Sequence, residues 1–267
     1  MSRRGLLSRA HRRVEPERVD ESEVPFGANA SRLLHWLRDR IDAHCAEGGD
    51  WRSVINGMRP FTQRLWRELP PRSRQRFLEH ARAWWEVHRH RMAPEVEDRI
   101  TNAIVDGRLS LVAAKIIDIA PLSDGARVIY RRRGRNHTDS LDVAAIVDCS
   151  GIVRNLSTTT NPALRSLFAQ GLARIDPLQI GIDVGTDGAL IDRDGVRSLR
   201  LFAVGPLTRP AFWEIIAIPD ICNQCAELAA RLVRDAGATT LYRRAARSPA
   251  TVPVDASIET SEISEHR

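Results

Sequence analysis

The stretch LRLFAVGPLTR, residues 199–209, gives the clearest indication of the fold, and FWE follows it at residues 212–214. Apolar residues up to Val204 predict a β-strand, Gly205 ends that strand, and the pattern beyond predicts a helix over residues 212–234. A strand that passes through a glycine turn into a helix N-terminus favours an anion or carbonyl site, because free backbone N–H groups point outward there. Any α/β protein can contain one such unit, so a purely structural role is equally consistent.

A second informative stretch is LDVAAIVDCSG, residues 141–151. Its apolar run over residues 143–149 is typical of a strand that is buried on both faces. Ser150 and Gly151 then offer a small, open backbone that another chain segment or a bound nucleotide could approach closely. Taken alone, a buried strand followed by a turn is the simpler interpretation.

The first part of the chain changes character twice. Residues 1–27 are rich in Arg, Glu and Pro and predict a loop. Residues 28–108 show helical periodicity, in which Leu33, Leu34, Leu37 and Ile41 recur at three- and four-residue steps. Prolines divide this region into four or five helices.

Residues 109–235 predict strands first and helices later. Two β-rich runs flank a turn at Asp124-Gly125 and, with the strand over residues 143–149, form a predicted β-meander. A short helix over residues 163–170, short strands around residues 180–183 and 189–191, and the closing strand and helix follow. Residues 236–267 are rich in Ala, Ser, Thr and Glu and are predicted to be disordered.

Composition bounds the possible functions. The formal net charge is +6, but Lys115 is the only lysine, so the positive charge is almost entirely arginine and acidic residues are interspersed with it. This distribution makes nucleic acid an unfavoured partner. No apolar run is long enough to span a bilayer, and polar residues interrupt the N-terminal stretch where an export signal needs an apolar core. We therefore expect a soluble, cytoplasmic protein without a membrane partner.

In their order and amino-acid sequence, the two stretches resemble a family of FAD/NAD(P)-binding proteins related to flavin monooxygenases and pyridine nucleotide-disulfide oxidoreductases. Further similarity lies in residues 85–94, in Asp176-Pro177-Leu178 and in residues 187–192. The resemblance implies an α/β fold of the Rossmann type with two dinucleotide-binding domains, of which this chain would hold an incomplete part. Residues 1–27 would be a remnant of the NAD(P)-binding unit, and residues 109–235 would include the C-terminal part of the FAD-binding domain.

The resemblance also implies cofactors and site residues. FAD and NAD(P)H would be the cofactors of an oxidoreductase with monooxygenase-like chemistry. The sequence does not identify its substrate. Arginines near the N-terminus would meet an NADP 2′-phosphate, although a disordered basic terminus is an equal alternative. The implied cofactor contacts are Arg3, Arg4, Cys149, Ser150, Gly151, Gly205, Pro206, Leu207, Trp213 and Glu214.

This chain departs from the family pattern in two respects. No G-x-G-x-x-G follows a predicted strand, and that loop holds a dinucleotide pyrophosphate. Pro206 stands where related flavoproteins have an aspartate for the ribityl chain. We therefore expect a truncated protein with impaired cofactor binding, and the competing hypothesis is a non-enzymatic basic module that binds nucleic acid or another polyanion.

Three further groups have both a structural and a functional reading. Arg89, His90 and Arg91 either cap a helix or, by the resemblance, contact a phosphate or an acidic substrate. The cysteine pair Cys222 and Cys225 has redox spacing, but burial inside the final helix is the favoured interpretation, and no metal site is expected. Asp148 and Glu214 are acids near the expected flavin side, and the catalytic residue is left unassigned.

Overall fold

The computed structural model describes residues 1–149 and 156–245, with side chains described up to residue 235 in the last helix. The protein is a mixed α/β structure of helices and small antiparallel sheets. Its contacts divide it into two units, Met1–Ile221 and Cys222–Arg267. No helix in the described part of the chain is both long and apolar enough to cross a membrane.

Six short α-helices occupy the region predicted to be helical. Their bounds are α1 (Ala30–Ala46), α2 (Trp51–Gly57), α3 (Thr62–Glu68), α4 (Pro71–Arg76), α5 (Arg82–Arg89) and α6 (Pro94–Val105), with a π-helical turn at Phe77–Ala81 before α5. Prolines account for much of this segmentation, because Pro71 and Pro94 each stand at the first helical position, where the missing N–H is not needed. The proline-divided helical region is therefore present, with six α-helices where four or five were predicted.

Polar side chains fix where the first two helices begin. The Asn29 side chain accepts a hydrogen bond from the Arg32 N–H at 3.0 Å, and Asp50 accepts one from the Arg52 N–H at 2.9 Å. Such N-caps satisfy backbone donors that the first helical turn leaves unpaired. The two helices pack together around a buried cluster that includes Leu37, Val54 and Met58.

The N-terminal segment runs along the helical region and the first sheet. Ser2 forms an isolated parallel bridge with Ala113, and Ala10 forms another with Met92. Gly57 permits close packing here, since a Cβ at this position would stand 2.3 Å from the Glu17 carbonyl oxygen. Val24, from the same segment, is buried in the cluster of α1 and α2.

The predicted hairpin is present within a three-stranded β-meander, whose third strand differs from the predicted run. Strands β1 (Ala114–Leu122), β2 (Gly125–Arg132) and β3 (Asp139–Val143) form an antiparallel sheet in that order. Leu122 pairs with Gly125, so the turn holds two residues and includes the predicted Asp124. A register shift leaves Ile117 as a bulge in β1.

The prediction of a buried strand over residues 143–149 is wrong. Strand β3 ends at Val143, and residues 144–149 are not in a strand. Ile146 and Val147 are 43% and 82% exposed. The reason is pairing: Val143 lies opposite Ala126, next to the start of β2, so the chain beyond it has no further length of β2 to bond.

A second, two-stranded sheet leads into the stretch of residues 199–209. Helix α7 (Pro162–Ala169) precedes it, and β4 (Ala189–Ile191) pairs antiparallel with β5 (Arg197–Phe202). The expected strand over residues 180–183 is reduced to a bridge between Ile182 and Ile175. The helix, β4 and the strand before Gly205 are confirmed.

The last helix is displaced from its predicted position. Helix α8 spans Ile218–Ala245 rather than residues 212–234. Glu214 has a φ of 65°, which a right-handed helix cannot contain, and Pro219 is the second residue of α8, where proline is tolerated. The helix also enters the segment from residue 236 that was predicted to be disordered, while residues 246–267 of that segment lie outside the described part.

Trp66 joins the helical region to the chain that follows β5. Its ring stacks on Trp213 with centroids 4.3 Å apart, and its Nε1 donates a hydrogen bond to the Pro210 carbonyl at 2.8 Å. Phe77 meets both indoles edge-on. Trp66 is only 2% exposed, so both the ring contacts and the hydrogen bond are shielded from water.

We expect Trp66→Phe to lower the free energy of unfolding by about 2–3 kcal/mol, because it removes indole stacking and leaves the buried Pro210 carbonyl without its donor. Urea unfolding followed by circular dichroism measures the change. Trp84→Phe is the matched control, since Trp84 is 48% exposed, and it should change stability by less than about 0.5 kcal/mol. Equal losses in both variants would contradict this role for Trp66.

Candidate functional site

The candidate site is the segment of residues 205–214, which we call the post-β5 segment. It begins with Gly205, whose φ of 77° favours glycine, and continues as a 3-10 turn over Gly205–Thr208. The buried Thr208 hydroxyl donates to the Gly205 carbonyl at 2.8 Å, and the Leu207 carbonyl accepts from the Ile182 N–H at 2.9 Å. These bonds hold the turn in one conformation.

Glu214 ends the segment as a buried carboxylate with two side-chain donors. Trp85 Nε1 donates to Oε1 at 2.5 Å, and Arg89 Nε donates to Oε2 at 3.0 Å. The side chains of Arg89 and Glu214 are 14% and 8% exposed, so this ion pair is largely shielded from solvent. A buried charge needs such partners, because its desolvation is otherwise too costly.

The backbone of Glu214 is strained. Its φ of 65° lies in the left-handed region, which costs a non-glycine residue roughly 1–2 kcal/mol. The neighbouring contacts offset this cost, since Trp213 stacks on Trp66 and the Arg209 guanidinium stands 4.9 Å from the Trp213 ring centre. Strained residues that are fixed by their surroundings concentrate at functional sites, which makes this segment a candidate.

Further titratable side chains follow Arg89 in the chain. Burial lowers the pKa of His90 below its usual 6.5, with Arg89 and Arg209 acting in the same direction and Glu214 and Glu86 opposing them. Arg91 donates to the Asn56 side chain, and burial also lowers its pKa. Arg89 is therefore the cationic partner of the Glu214 carboxylate, while the lowered pKa favours the neutral form of His90.

The structure brings together only some of the residues predicted from the sequence. Arg89 and Glu214 bond directly, and His90 lies within their electrostatic influence. The expected capping role of residues 88–91 is at most partial, because Arg89 pairs with Glu214 and only His88 Nδ1 bonds back to the Trp84 carbonyl. Neither Arg89 nor Glu214 was recognised as a partner of the other, since 125 residues separate them.

The predicted cofactor residues fall into two groups by exposure. Pro206 is exposed and Leu207 is half-buried, so they can meet a ligand, whereas the Trp213 and Glu214 side chains are buried in contacts with protein. Trp213 and Glu214 thus fix the end of the post-β5 segment through their contacts with the helical region. A direct contact of either with a cofactor stays a prediction.

The other half of the predicted cofactor site is only partly described. Cys149 is exposed, whereas Ser150 and Gly151 lie outside the described residues. At the N-terminus, Arg4 donates to the carbonyls of Glu79 and His80 at 2.6 and 2.9 Å. Arg4 therefore holds the end of the π-helical turn, while Arg3 is exposed.

The cysteine pair lies on the final helix, as expected. Cys222 and Cys225 do lie within α8, but both are exposed, so their predicted burial is wrong. The apolar periodicity of a long helix does not reveal which side is covered by another element. Within residues 1–149 and 156–245, no three His, Cys, Asp or Glu side chains are grouped to hold a metal ion.

A cleft lies beside the post-β5 segment, and no sequence pattern predicted it. Its volume is about 420 Å³, and its walls include Arg67, Arg74, Asp176 and Pro210. Burial raises the pKa of Asp176, against the opposing effect of three backbone N–H donors from Leu178, Ile180 and Gly181. The missed signal was the Asp176-Pro177 step, since Asp commonly accepts bonds from the backbone that follows it.

The chain is similar to uncharacterised proteins of Mycobacterium tuberculosis and Mycobacterium bovis. Each is 29% identical over 137 residues, which cover 48% of this chain and 24% of the relative. The matched part thus spans about a quarter of the length of these relatives. No protein-family model matches the chain, and no solved structure matches it.

We expect Arg89→Met to lower the free energy of unfolding by about 3 kcal/mol, because it leaves the Glu214 carboxylate buried without its charge partner. Chemical denaturation of the purified variant provides the measurement. Arg127→Met is the control: Arg127 pairs with Asp142 at 2.6 Å on the surface, and its loss should have no measurable effect. A stability change in Arg127→Met as large as in Arg89→Met would refute the distinction.

We also expect the stability to fall as the pH drops through the usual pKa of His90, which is 6.5. Burial lowers the pKa of His90, so in that range the unfolded state binds more protons than the folded state and unfolding becomes easier. Urea unfolding at about pH 7.5 and about pH 5.5 should show a smaller loss for His90→Gln than for the wild-type chain. An unchanged loss in His90→Gln would exclude His90 as a source.

Proposed function

We propose that this chain forms part of an FAD- and NAD(P)H-dependent oxidoreductase of the flavin monooxygenase type, and that the post-β5 segment lies against the flavin. The observation that carries the proposal is the Gly205 turn. Gly205 is itself buried, but a Cβ built on it would have only Ile221 Cγ2 within contact range, at 3.9 Å, so a small volume beside the turn is open. Glycine at such a turn lets a ligand approach the main chain.

The support behind the turn strengthens the proposal. A cofactor site needs its contact groups held within a fraction of an ångström by residues that are themselves locked. Trp213 stacks on Trp66, and Glu214 accepts bonds from Trp85 and Arg89. The exposed Pro206 is thereby presented on a segment fixed at both ends.

The roles in this proposal divide between cofactor and chain. Flavin supplies the redox chemistry when bound, and the protein supplies orientation and electrostatics. In this chain Pro206 and Leu207 would form the contact surface at the Gly205 turn, and Trp213 and Glu214 would hold it in position. For NAD(P)H, Arg3 is the available N-terminal arginine, because Arg4 is already bonded to the carbonyls of Glu79 and His80.

The competing proposal of a polyanion-binding module has less support. A phosphate-binding surface needs arginines that are free to meet phosphate oxygens. Many arginines here instead pair with carboxylates, including Arg40 with Glu23, Arg82 with Glu86 and Arg132 with Asp139. These ion pairs neutralise much of the positive charge that would attract a polyanion. The net charge alone therefore does not favour nucleic acid.

We expect the purified chain to bind FAD weakly and Gly205→Ala to abolish that binding, because the added methyl group fills the space on the open side of the turn. Isothermal titration calorimetry with FAD provides the measurement. Weak affinity is expected because the sequence has no G-x-G-x-x-G loop for the pyrophosphate.

Gly134→Ala is a matched control. Gly134 has a φ of 76°, against 77° for Gly205, and a Cβ there would meet nothing within 4 Å. Both variants should therefore lose a similar stability of about 1 kcal/mol from backbone strain. Only Gly205→Ala should lose FAD binding. An equal affinity in the two variants, or no saturable binding of FAD by the wild-type chain, would contradict the proposed flavin contact.

A further inference from the structure

The cleft of about 420 Å³ beside α3 and α4 has two arginines in its walls, Arg67 and Arg74. In the described part of the chain, neither guanidinium has a hydrogen-bond or ion-pair partner, and Arg74 Nε is buried without one. Arg64, nearby on α3, is instead paired with Glu68 at 2.7 Å. A buried donor without a partner carries a free-energy cost, which a ligand can remove.

The acidic residues of the same cleft do not neutralise these arginines. Asp183 is paired with Arg174 at 2.7 Å. The Asp176 carboxylate is occupied by the backbone N–H groups of Leu178, Ile180 and Gly181, at 2.7–2.8 Å. Asp176 is also only 3% exposed, so it contributes little to the surface of the cleft. Two cationic groups therefore remain available there.

Arg74 is also held in place before any ligand arrives. Its guanidinium carbon stands 5.9 Å from the centre of the Trp66 ring, and Trp66 is fixed by its bond to the Pro210 carbonyl. A guanidinium that is already ordered loses less entropy on binding, and its planar donors suit the two oxygens of a carboxylate or phosphate.

The remaining walls are largely apolar and rigid. Pro71, Pro177, Leu178 and Ala211 contribute to them, and the proline rings limit movement of the backbone. The volume is within the range of small-molecule sites, which is roughly 300–1,000 Å³. We propose that this cleft binds a small ligand with a carboxylate or phosphate oxyanion on a flat apolar body, the oxyanion lying between Arg67 and Arg74.

This inference does not depend on flavin binding, and it can be tested on the chain without FAD. The probes are benzoate and phenyl phosphate, which carry the two oxyanions on the same ring, and benzamide, which has the ring without the charge. Calorimetric titration of the full chain should show saturable binding of at least one anion with a Kd of about 0.1–1 mM, and none of benzamide. The tighter anion identifies which oxyanion the site prefers.

The variants Arg67→Gln and Arg74→Gln should each weaken anion binding by at least about tenfold, because each removes a charged donor. Arg72→Gln is the matched control: Arg72 is an exposed arginine of α4 that does not line the cleft, and its loss removes the same charge. Arg74→Lys should recover only part of the affinity, since an ammonium lacks the planar pair of donors.

Circular dichroism and thermal unfolding establish whether each variant is folded. If Arg74→Gln is misfolded, Arg67→Gln decides the matter, since Arg67 is exposed and its replacement does not disturb the core. The proposal is overturned if neither anion binds saturably, if benzamide binds as well as benzoate, or if Arg72→Gln weakens binding as much as Arg67→Gln.

Discussion

The buried carboxylate of Glu214 is the constraint on which much of this structure depends. Its two oxygens are bonded by Trp85 and Arg89 from α5, and the residue before it stacks on Trp66 from α3. These contacts connect the chain after β5 to the helical region, although more than a hundred residues separate the partners in sequence. Because a charge in such a place must be paired, the connection defines one arrangement of the segment.

That arrangement has consequences on both sides of Glu214. The left-handed backbone at Glu214 prevents a helix from starting at residue 212, so α8 begins only at Ile218. On the other side, the post-β5 segment must run past Trp66, and the Pro210 carbonyl meets the indole N–H there. The same run of chain forms one wall of the cleft with the two unpaired arginines. The proposed flavin contact and the anion cleft thus share one rigid support.

The use of arginine in place of lysine shapes both the stability and the proposed sites. A guanidinium can bond a carboxylate with two parallel N–H groups, as Arg127 does with Asp142 at 2.6 and 2.7 Å. It can also lie over an aromatic ring, as Arg52 does 4.4 Å from the centre of Trp51. Among the described residues, Arg67 and Arg74 have no carboxylate partner and both line one cleft, which leaves them available for a ligand. Net charge alone could not distinguish them from the others.

Local patterns in the sequence were sufficient for the elements whose formation depends on their own residues. Proline positions and helical periodicity predicted the divided helical region, and the Asp124-Gly125 turn predicted the first hairpin of the meander. The run over residues 143–149 failed because burial of a strand depends on neighbours, and β2 leaves that run unpaired. The predicted burial of Cys222 and Cys225 was wrong for the same reason, since a sequence does not state which face of a helix another element covers.

The sequence by itself determined the mixed α/β class, the meander and the strand that ends at a glycine, since each follows from short-range periodicity and turn chemistry. It also marked residues 205–214 as important. Only the tertiary structure decided that Glu214 is paired with Arg89, that Trp213 is a support and that Arg67 and Arg74 line one cleft. Contacts across such sequence distances arise from packing and desolvation of the folded chain, and no local pattern encodes them.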